Sequence, residues 1–306
     1  MSRIIASFAF LFFFFATLVY AQAPVFDELI HAYKDGTDII LEWQPAQNVD
    51  GYNIYRFDTI PGSPPWPLYA AVPTPGFRDT GAINDPADTL YYIVSAYNAN
   101  GETDALNWAF RVVMPLEFLP YSFNNNHISF PYYYFPVGVS DPDGPTAEDV
   151  CADAGPDLAY VGAWQSVTDT WFSHICGAPF ADFEIEPGSG YLLVPAAPMT
   201  LSIVGSHDTY YEPGGPNFAG LNCFPGTYCN NWISVPYHSM AGTAFGLCNE
   251  LTGRGHDIRM ISKWLPDQDT YFIKSCGSPI RDFDLTPGLG IMIQPGKDES
   301  IQIAVH

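Results

Sequence analysis

Apolar and polar residues alternate along much of the chain. Up to about residue 113 the alternation has a period of two, as in Ile39 to Trp43, Gly51 to Arg56 and Tyr91 to Tyr97. A period of two puts successive side chains on opposite faces of a strand, so it predicts half-buried antiparallel strands. The 26 Gly and 28 Pro residues, many of them between such stretches, supply turns. The pattern predicts an all-β fold.

A block of sequence occurs twice at an offset of one hundred residues, from Trp164 to Gly190 and from Trp264 to Gly290. Both copies keep Asp-Thr, Cys-Gly, Asp-Phe and Pro-Gly at matching positions. In both, an acidic and apolar alternation at 182–185 and 282–285 predicts a strand with its carboxylates in water. A repeat of this length indicates a duplicated module, and a short Ala-rich helix is expected before each block.

These patterns divide the chain into segments. Residues 1–21 have Arg3, an apolar run and a small residue at Ala21, which predicts a cleaved secretory signal peptide and no membrane insertion after cleavage. A β-sandwich module is expected at 24–113 and a linker at 114–120. The first β-rich repeat unit then covers 121–207, a Gly/Pro-rich linker 208–221 and the second unit 222–306.

Six cysteines follow the duplication. In an exported chain an even number indicates disulfides, and six cysteines allow 15 pairings. The repeat selects one internal pair in each unit plus one short loop: Cys151–Cys176, Cys248–Cys276 and Cys223–Cys229. Zinc is the alternative, but the C-x₂₋₄-C pairs that zinc sites use do not occur in the sequence.

The charge excludes some partners. The formal net charge is −22, with 33 acidic and 11 basic residues. Such a chain repels phosphate backbones, so nucleic acid is not expected as a partner.

The first module resembles a fibronectin type III domain in its stretches LEW, GYNIYR, FRDTG and YYIVSAYNANGET, which follow one another in that family's order. The resemblance implies a spacer or binding module rather than a catalytic one. It also implies that Tyr92 fills the tyrosine-corner role and Trp43 is the core tryptophan.

The repeat units resemble the N-L-I-S-x-P modules that accompany fibronectin type III domains in secreted bacterial surface proteins. The shared features are the opening NNHISFP or NNWISVP, a Trp-containing hairpin and a late P-G-x-G-Y turn, where the second copy has Ile291 instead of Tyr191. The activity of these modules is largely uncharacterised, so the resemblance implies architecture and little else.

Catalytic patterns are weak. Gly188-Ser189-Gly190 is too short for a nucleophile elbow, and Leu289 replaces the serine in the second copy. His174 lies near Cys176, but its counterpart is Lys274, which favours a disulfide beside a surface histidine over a catalytic dyad. The neighbouring carboxylates at 182 and 184 have no identifiable acid partner. The sequence predicts no enzyme.

Two binding hypotheses remain open. The first is a calcium site at Asp141, Asp143, Glu148 and Asp149, because calcium prefers clustered oxygens, although EF-hand spacing is absent. Its alternative is an ordinary acidic turn. The second is a glycan or subunit contact through exposed aromatic residues, for which the candidates are Trp66, Tyr132, Tyr133 and Tyr134. Its alternative is ordinary core packing.

Together these features predict a secreted, disulfide-stabilised, non-catalytic protein of the cell surface or extracellular matrix. It would act as a structural or adhesive component, as a subunit of a surface assembly or filament. Its partners would be other surface or matrix proteins or further copies of itself, and no cofactor is expected unless calcium binds. The alternatives are a carbohydrate-binding accessory protein and a secreted hydrolase.

Overall fold

The computed structural model describes residues 22–130, 133–134, 144–186, 188–208, 218–224, 227–235, 239 and 241–302. The expected leader at 1–21 lies outside them. Strands dominate the described residues and their α-helices are short, so the predicted all-β fold class is confirmed. Each module has its own hydrophobic core.

The first module is a sandwich of two antiparallel sheets. Its strands are β1 (His31–Asp35), β2 (Asp38–Glu42), β3 (Gly51–Phe57), β4 (Leu68–Val72), β5 (Phe77–Asp79), β6 (Thr89–Asn98), β7 (Gly101–Asp104) and β8 (Asn107–Leu116). One sheet has the order β1-β2-β5, and the other contains β8-β6-β3-β4, with β7 paired to β6. This is a fibronectin type III-like sandwich.

The sequence pattern explains this packing. Ile39 and Leu41 of β2 are fully buried while Glu42 is exposed, as a period of two requires. Trp43 lies in the core with its ring edge against Tyr52, at a centroid distance of 5.2 Å. Tyr92 is also buried, but its hydroxyl donates to the Asp79 carboxylate at 2.8 Å. A tyrosine corner would bond to the backbone, so the expected role of Tyr92 is corrected: it is part of a buried side-chain network.

The repeat units have matching elements. The first contains β9 (Asn126–Ser129), β10 (Tyr133–Tyr134), α1 (Ala147–Ala154), β11 (Leu158–Gln165), β12 (Thr170–Ile175), β13 (Gly190–Pro195) and β14 (Met199–Asp208). The second contains β15 (Phe218–Leu221), β16 (Asn231–Ser234), α2 (Ala244–Gly253), β17 (Ile258–Leu265), β18 (Thr270–Ser275), β19 (Gly290–Pro295) and β20 (Glu299–Gln302). The four-stranded sheets β12-β11-β13-β9 and β18-β17-β19-β16 have the same order.

One expected strand in each unit is absent from these elements. Residues 182–185 form only a single bridge, between Thr146 and Glu184, and 282–285 form the equivalent bridge to Thr243. The acidic residue at the start of each stretch has another role: Asp182 accepts the backbone N–H of Glu148 at 3.0 Å, in the first turn of α1. Carboxylates there satisfy N–H groups that lack intrahelical partners. The segments at 182–185 and 282–285 are therefore loops whose first residue caps a helix, and not strands.

The first repeat unit is built into the sandwich. β14 pairs with β8 along ten residue pairs, from Met199 opposite Leu116 to Asp208 opposite Asn107. In the second unit β20 pairs with β15 in the equivalent register, with Leu221 opposite Glu299. The expected linkers at 114–120 and 208–221 are therefore partly strand, at 114–116 and 218–221. The end of β8 pairs with the last strand of the first repeat as β15 pairs with the last strand of the second.

A buried ion pair also joins the sandwich to the first repeat. The Lys34 ammonium of β1 lies 2.5 Å from the Asp153 carboxylate of α1, and both side chains are almost fully buried. Lys34 donates a second bond to the Ser202 carbonyl of β14 at 2.8 Å, and Tyr134 donates to Asp153 at 2.9 Å. Because unpaired charges are costly in such a site, these bonds hold the modules in one arrangement.

Candidate functional site

The two repeat units meet through backbone hydrogen bonds that are repeated in both directions. The Ser129 N–H donates to the Gly288 carbonyl, and the Ser234 N–H donates to the Gly188 carbonyl, each at 2.8 Å. The backbones approach so closely that a Cβ at Gly290 would lie 2.6 Å from the Ile128 oxygen. Glycine is therefore required there, which gives the final glycine of the repeated turn a physical reason.

Aromatic rings fill the centre of this contact. His127 of the first unit stacks on Trp232 of the second at a centroid distance of 3.9 Å, and Trp171 and Trp264 lie at 5.1 and 5.6 Å from it. Burial lowers the pKa of His127 to about 3, so the ring is neutral at physiological pH. The indole N–H of Trp164 donates to the Asn230 carbonyl at 2.6 Å, across the contact.

The tryptophans that open the two repeated blocks belong to this contact. Trp164 and Trp264 lie on strands, and they face the other repeat unit rather than the core of their own. Periodicity identifies a face that is covered, and it cannot say which element covers it.

A cleft of about 630 Å³ opens beside this aromatic contact. Its lining includes aromatic residues from both repeat units and three carboxylates of the first. Its lining includes Ala163, Trp164, Phe172, Asp182, Phe183, Glu184, Glu186, Ser189, Tyr191 and Trp232.

Aromatic side chains form one wall of the cleft. Phe183 lies 5.8 Å from Phe172 and stacks with Tyr191 at 6.4 Å, measured between ring centroids. The Tyr191 hydroxyl donates to the Glu186 carbonyl and accepts the Glu186 N–H, and burial raises its pKa. These bonds fix the floor of the cleft, while Phe172 remains 39% exposed at its rim.

Catalytic chemistry has little support in this cleft. None of the described lining residues is a histidine, the usual base for a serine nucleophile, and the candidates for a base beside Ser189 are the three carboxylates. Asp182 is committed to the N-terminus of α1 and to its neighbour's N–H. The arrangement offers acidic oxygens and aromatic faces, which are binding groups.

One cluster among the described residues has donors that a metal could use: Glu148, Cys151 and His174. The Cys151 sulfur is bonded to Cys176, so it offers no thiolate. Glu148 accepts from the Gly177 N–H at 2.9 Å and lies 2.7 Å from the His174 ring, which lowers the Glu148 pKa, the histidine contact being the larger cause. The cluster is a disulfide beside a hydrogen-bonded carboxylate and imidazole, and it does not fit a metal.

The six cysteines form the predicted disulfides in the structure. The pairs are Cys151–Cys176, Cys223–Cys229 and Cys248–Cys276.

The structure describes only some of the residues predicted to bind calcium or to present exposed aromatic rings. Asp141 and Asp143 lie outside the described residues. Asp149 caps α1 by accepting the Thr146 N–H at 2.8 Å, while the Glu148 carboxylate accepts the Gly177 N–H at 2.9 Å. Calcium binding stays a prediction. Tyr132 and the Tyr133 side chain also lie outside the described part.

Of the two aromatic candidates whose side chains are described, Tyr134 is buried and Trp66 is half-buried. The prediction that Tyr134 is an exposed binding residue is wrong, because its side chain is buried and stacks on Phe130 at a centroid distance of 4.6 Å. Trp66 is half-buried and packs edge-on against Tyr55 and Phe57.

Sequence reasoning missed two buried groups. His174 and Lys274, at equivalent positions, are both fully buried, whereas a surface histidine was expected. The sequence held a signal for this two residues away on the same strand face, where Phe and Cys flank each position, but the polar side chain itself is typical of an exposed residue. The cleft was also missed, because its residues are spread over both repeats.

Comparison with known proteins adds little. No protein-family profile and no curated protein matches the chain. A solved Fn3-like protein from Clostridium thermocellum is 26% identical, with a TM-score of 0.22, over 28% of this chain and 84% of its own. The FN1–FN3 domains of chicken CNTN1 are 11% identical, with a TM-score of 0.20, over 93% of this chain and 100% of their own. Because both TM-scores are low, the fold assignment rests on the strand order. No described helix is long and apolar enough to span a bilayer.

Proposed function

We propose that the protein is an extracellular, non-catalytic structural or adhesive component that acts as a subunit of a surface assembly. The observation that carries this proposal is the continuous bonding between modules. β14 of the first repeat extends the sandwich sheet along ten residue pairs, and reciprocal backbone bonds join the two repeats. Flexible linkers would suit independent binding modules, whereas this bonding makes a stiff unit that can bear load.

Disulfides fit the same role. One disulfide lies within the first repeat unit and two lie within the second. Such bonds persist in oxidising compartments outside the cytoplasm. A chain with 33 acidic and 11 basic residues stays dispersed through self-repulsion until a specific contact forms. Secretion through the predicted leader and the choice of partner belong to this proposal.

Assembly would use an edge strand. Among the described residues, β4 pairs only with β3, and its sequence Leu68-Tyr69-Ala70-Ala71-Val72 has no charge. Leu68 is 56% exposed and Tyr69 is 45% exposed. An uncharged, exposed edge offers free N–H and C=O groups to a strand of another copy.

The test is the size distribution of the purified chain without its leader, with and without millimolar calcium, by light scattering and negative-stain microscopy. Oligomers or fibres are expected, and Ala71→Lys should reduce them because a charged edge opposes strand addition. Ala71→Thr is the matched control and should assemble like the wild type. A monodisperse monomer in both conditions would overturn assembly, and calcium dependence would support the predicted loop site.

A further inference from the structure

The residues of the first repeat that line the cleft have equivalents in the second repeat, and one of the differences places a cation there. Ala163 of β11 lies in the cleft, and the equivalent residue of β17 is Lys263. The Lys263 ammonium sits 5.1 Å from the centre of the Phe283 ring. Phe283 is the equivalent of Phe183. The second repeat therefore places its own cation on the ring that the first repeat leaves to the cleft.

Exposure of the rings agrees with this difference. Phe283 is 7% exposed, whereas Phe183 is half-buried. Phe172 is 39% exposed, whereas its counterpart Phe272 is half-buried. Where alanine replaces lysine, both rings regain contact with solvent. The aromatic wall of the cleft thus repeats the rings that contact Lys263 in the second repeat.

The charge around the cleft increases in the same direction. Asp182, Glu184 and Glu186 line it, and none of its described lining residues is basic. The second repeat has Asp282 and Asp284 but Thr286 at the third position, together with Lys263. The first repeat therefore has one more carboxylate and one fewer cation at this place. Aromatic faces and carboxylates together attract an ammonium group.

We propose that the cleft of the first repeat binds a primary ammonium group carried on an aliphatic chain, with the chemistry of a lysine side chain. The ammonium lies over Phe183 as Lys263 lies over Phe283, and the methylene chain packs against Trp164, Phe172 and Trp232. The site goes beyond the assembly role and does not depend on it, since a small ligand can bind to monomer and assembly alike.

The test measures binding of Nα-acetyl-lysine methylamide and of cadaverine to the full chain, by tryptophan fluorescence and isothermal calorimetry. Trp164 and Trp232 line the cleft and report on occupancy. At least one ammonium probe should bind once per chain, while the neutral analogue Nα-acetyl-norleucine methylamide should not. Binding of Nα-acetyl-lysine methylamide alone would assign the site to a lysine side chain of a polypeptide. Binding of cadaverine alone would assign it to a free diamine. Equal binding of the neutral analogue, or no binding of either ammonium probe, would overturn the proposal.

Two variants use the duplication as a control. Ala163→Lys copies the second repeat into the first and should lower affinity about tenfold or more, because its ammonium covers the ring and repels the probe. Lys263→Ala should open a second, weaker binding event in the other repeat. Unchanged binding in Ala163→Lys, or an unchanged stoichiometry in Lys263→Ala, would contradict the argument. Circular dichroism and thermal unfolding confirm that each variant folds, and oligosaccharide binding without ammonium binding would count against it.

Discussion

The two repeat units share one backbone arrangement but stabilise it with different chemistry. At the centre of each, a buried polar side chain reaches the loop after the second hairpin strand. His174 contacts the Phe180 carbonyl and Lys274 contacts the Ile280 carbonyl, each at 3.2 Å. The loop carbonyls must be satisfied in both copies, and either a ring nitrogen or an ammonium meets that need.

The partner on the other side changes with the buried group. His174 lies 2.7 Å from the Glu148 carboxylate, and Lys274 lies 4.5 Å from the centre of the Phe245 ring. Glu148 and Phe245 occupy the same position in the two helices. A hydrogen bond between an imidazole and a carboxylate in one copy corresponds to a cation–π contact in the other, so the two residues differ as a pair.

The turn before the first strand of each four-stranded sheet is also stabilised differently in the two repeat units. In the first unit the Asn124 side chain accepts the Leu119 N–H at 2.6 Å, and in the second the Cys223–Cys229 disulfide closes the equivalent turn. Asn124 and Cys229 have positive φ values of 55° and 57°. Behind both turns a buried asparagine, Asn126 or Asn231, bonds to the backbone of the preceding segment. The shared asparagine defines the turn, and the second fastening can vary.

The largest predicted difference concerns the helix carboxylates Asp153 and Glu250, which are equivalent in sequence. Asp153 forms the buried pair with Lys34, whereas Glu250 pairs with Arg254 of its own helix at 3.1 Å, partly in solvent. Lys34→Met should lower the free energy of unfolding by about 3–5 kcal/mol, because it leaves a buried carboxylate without its cation. Arg254→Met should cost less than about 1 kcal/mol. Urea denaturation measures both.

A double variant separates charge burial from loss of packing. Lys34→Met combined with Asp153→Leu removes both charges and should recover much of the stability. If Lys34→Met and Arg254→Met cost the same, the two carboxylates would be energetically alike, and the buried pair would not be what fixes the sandwich to the first repeat.

Disulfide removal gives the next largest effect. Cys151–Cys176 and Cys248–Cys276 span 25 and 28 residues, and Cys223–Cys229 spans 6. Loop entropy in the unfolded chain predicts losses of about 3 kcal/mol for each long pair and about 2 kcal/mol for the short one, on replacing both cysteines with alanine. Thermal and denaturant unfolding of the three double variants measures this. A clear difference between the two long pairs would show that the repeats are not mechanically equivalent.

The sequence was sufficient where a feature is local or duplicated. Alternation located the sandwich strands. The repeat selected the cysteine pairs, because equivalent cysteines in two copies of one fold are expected to pair in the same way. The Asp-Thr pair that both blocks keep lies at a hairpin turn in each repeat, where Asp169 and Asp269 have positive φ values of 49° and 48°. Each of these features is determined by residues close in sequence or by a comparison within it.

The sequence was insufficient where a feature depends on which surfaces meet. The face of Trp164 is covered by the second repeat, and β14 pairs with a strand of the sandwich. An alternating stretch does not encode its partner, so neither contact was predicted. The cleft combines Ala163 and Phe183 with Trp232 of the other copy, and it becomes visible only when the repeats are placed together.

The smallest predicted effect tests the aromatic contact between the repeats, where His127 of one copy faces its own counterpart, Trp232. Burial lowers the pKa of His127 to about 3, against about 6.5 in an unfolded chain. Below pH 6.5 the unfolded state binds a proton that the folded state does not accept until about pH 3, so this residue's contribution to stability falls as pH falls through that window. The expected loss between pH 7 and pH 5 is about 2 kcal/mol.

His127→Phe keeps an aromatic ring at this position and removes the titrating group. Wild type should lose about 2 kcal/mol more than this variant between pH 7 and pH 5, measured by urea denaturation at both pH values. Trp232→Phe is the matched control, since it changes the same contact from the other side and should retain the wild-type pH dependence. The rings packed on His127 are the tryptophans Trp171, Trp232 and Trp264, none of which titrates. An equal loss in wild type and His127→Phe would mean that the histidine is hydrated and that the two repeats separate at this contact in solution.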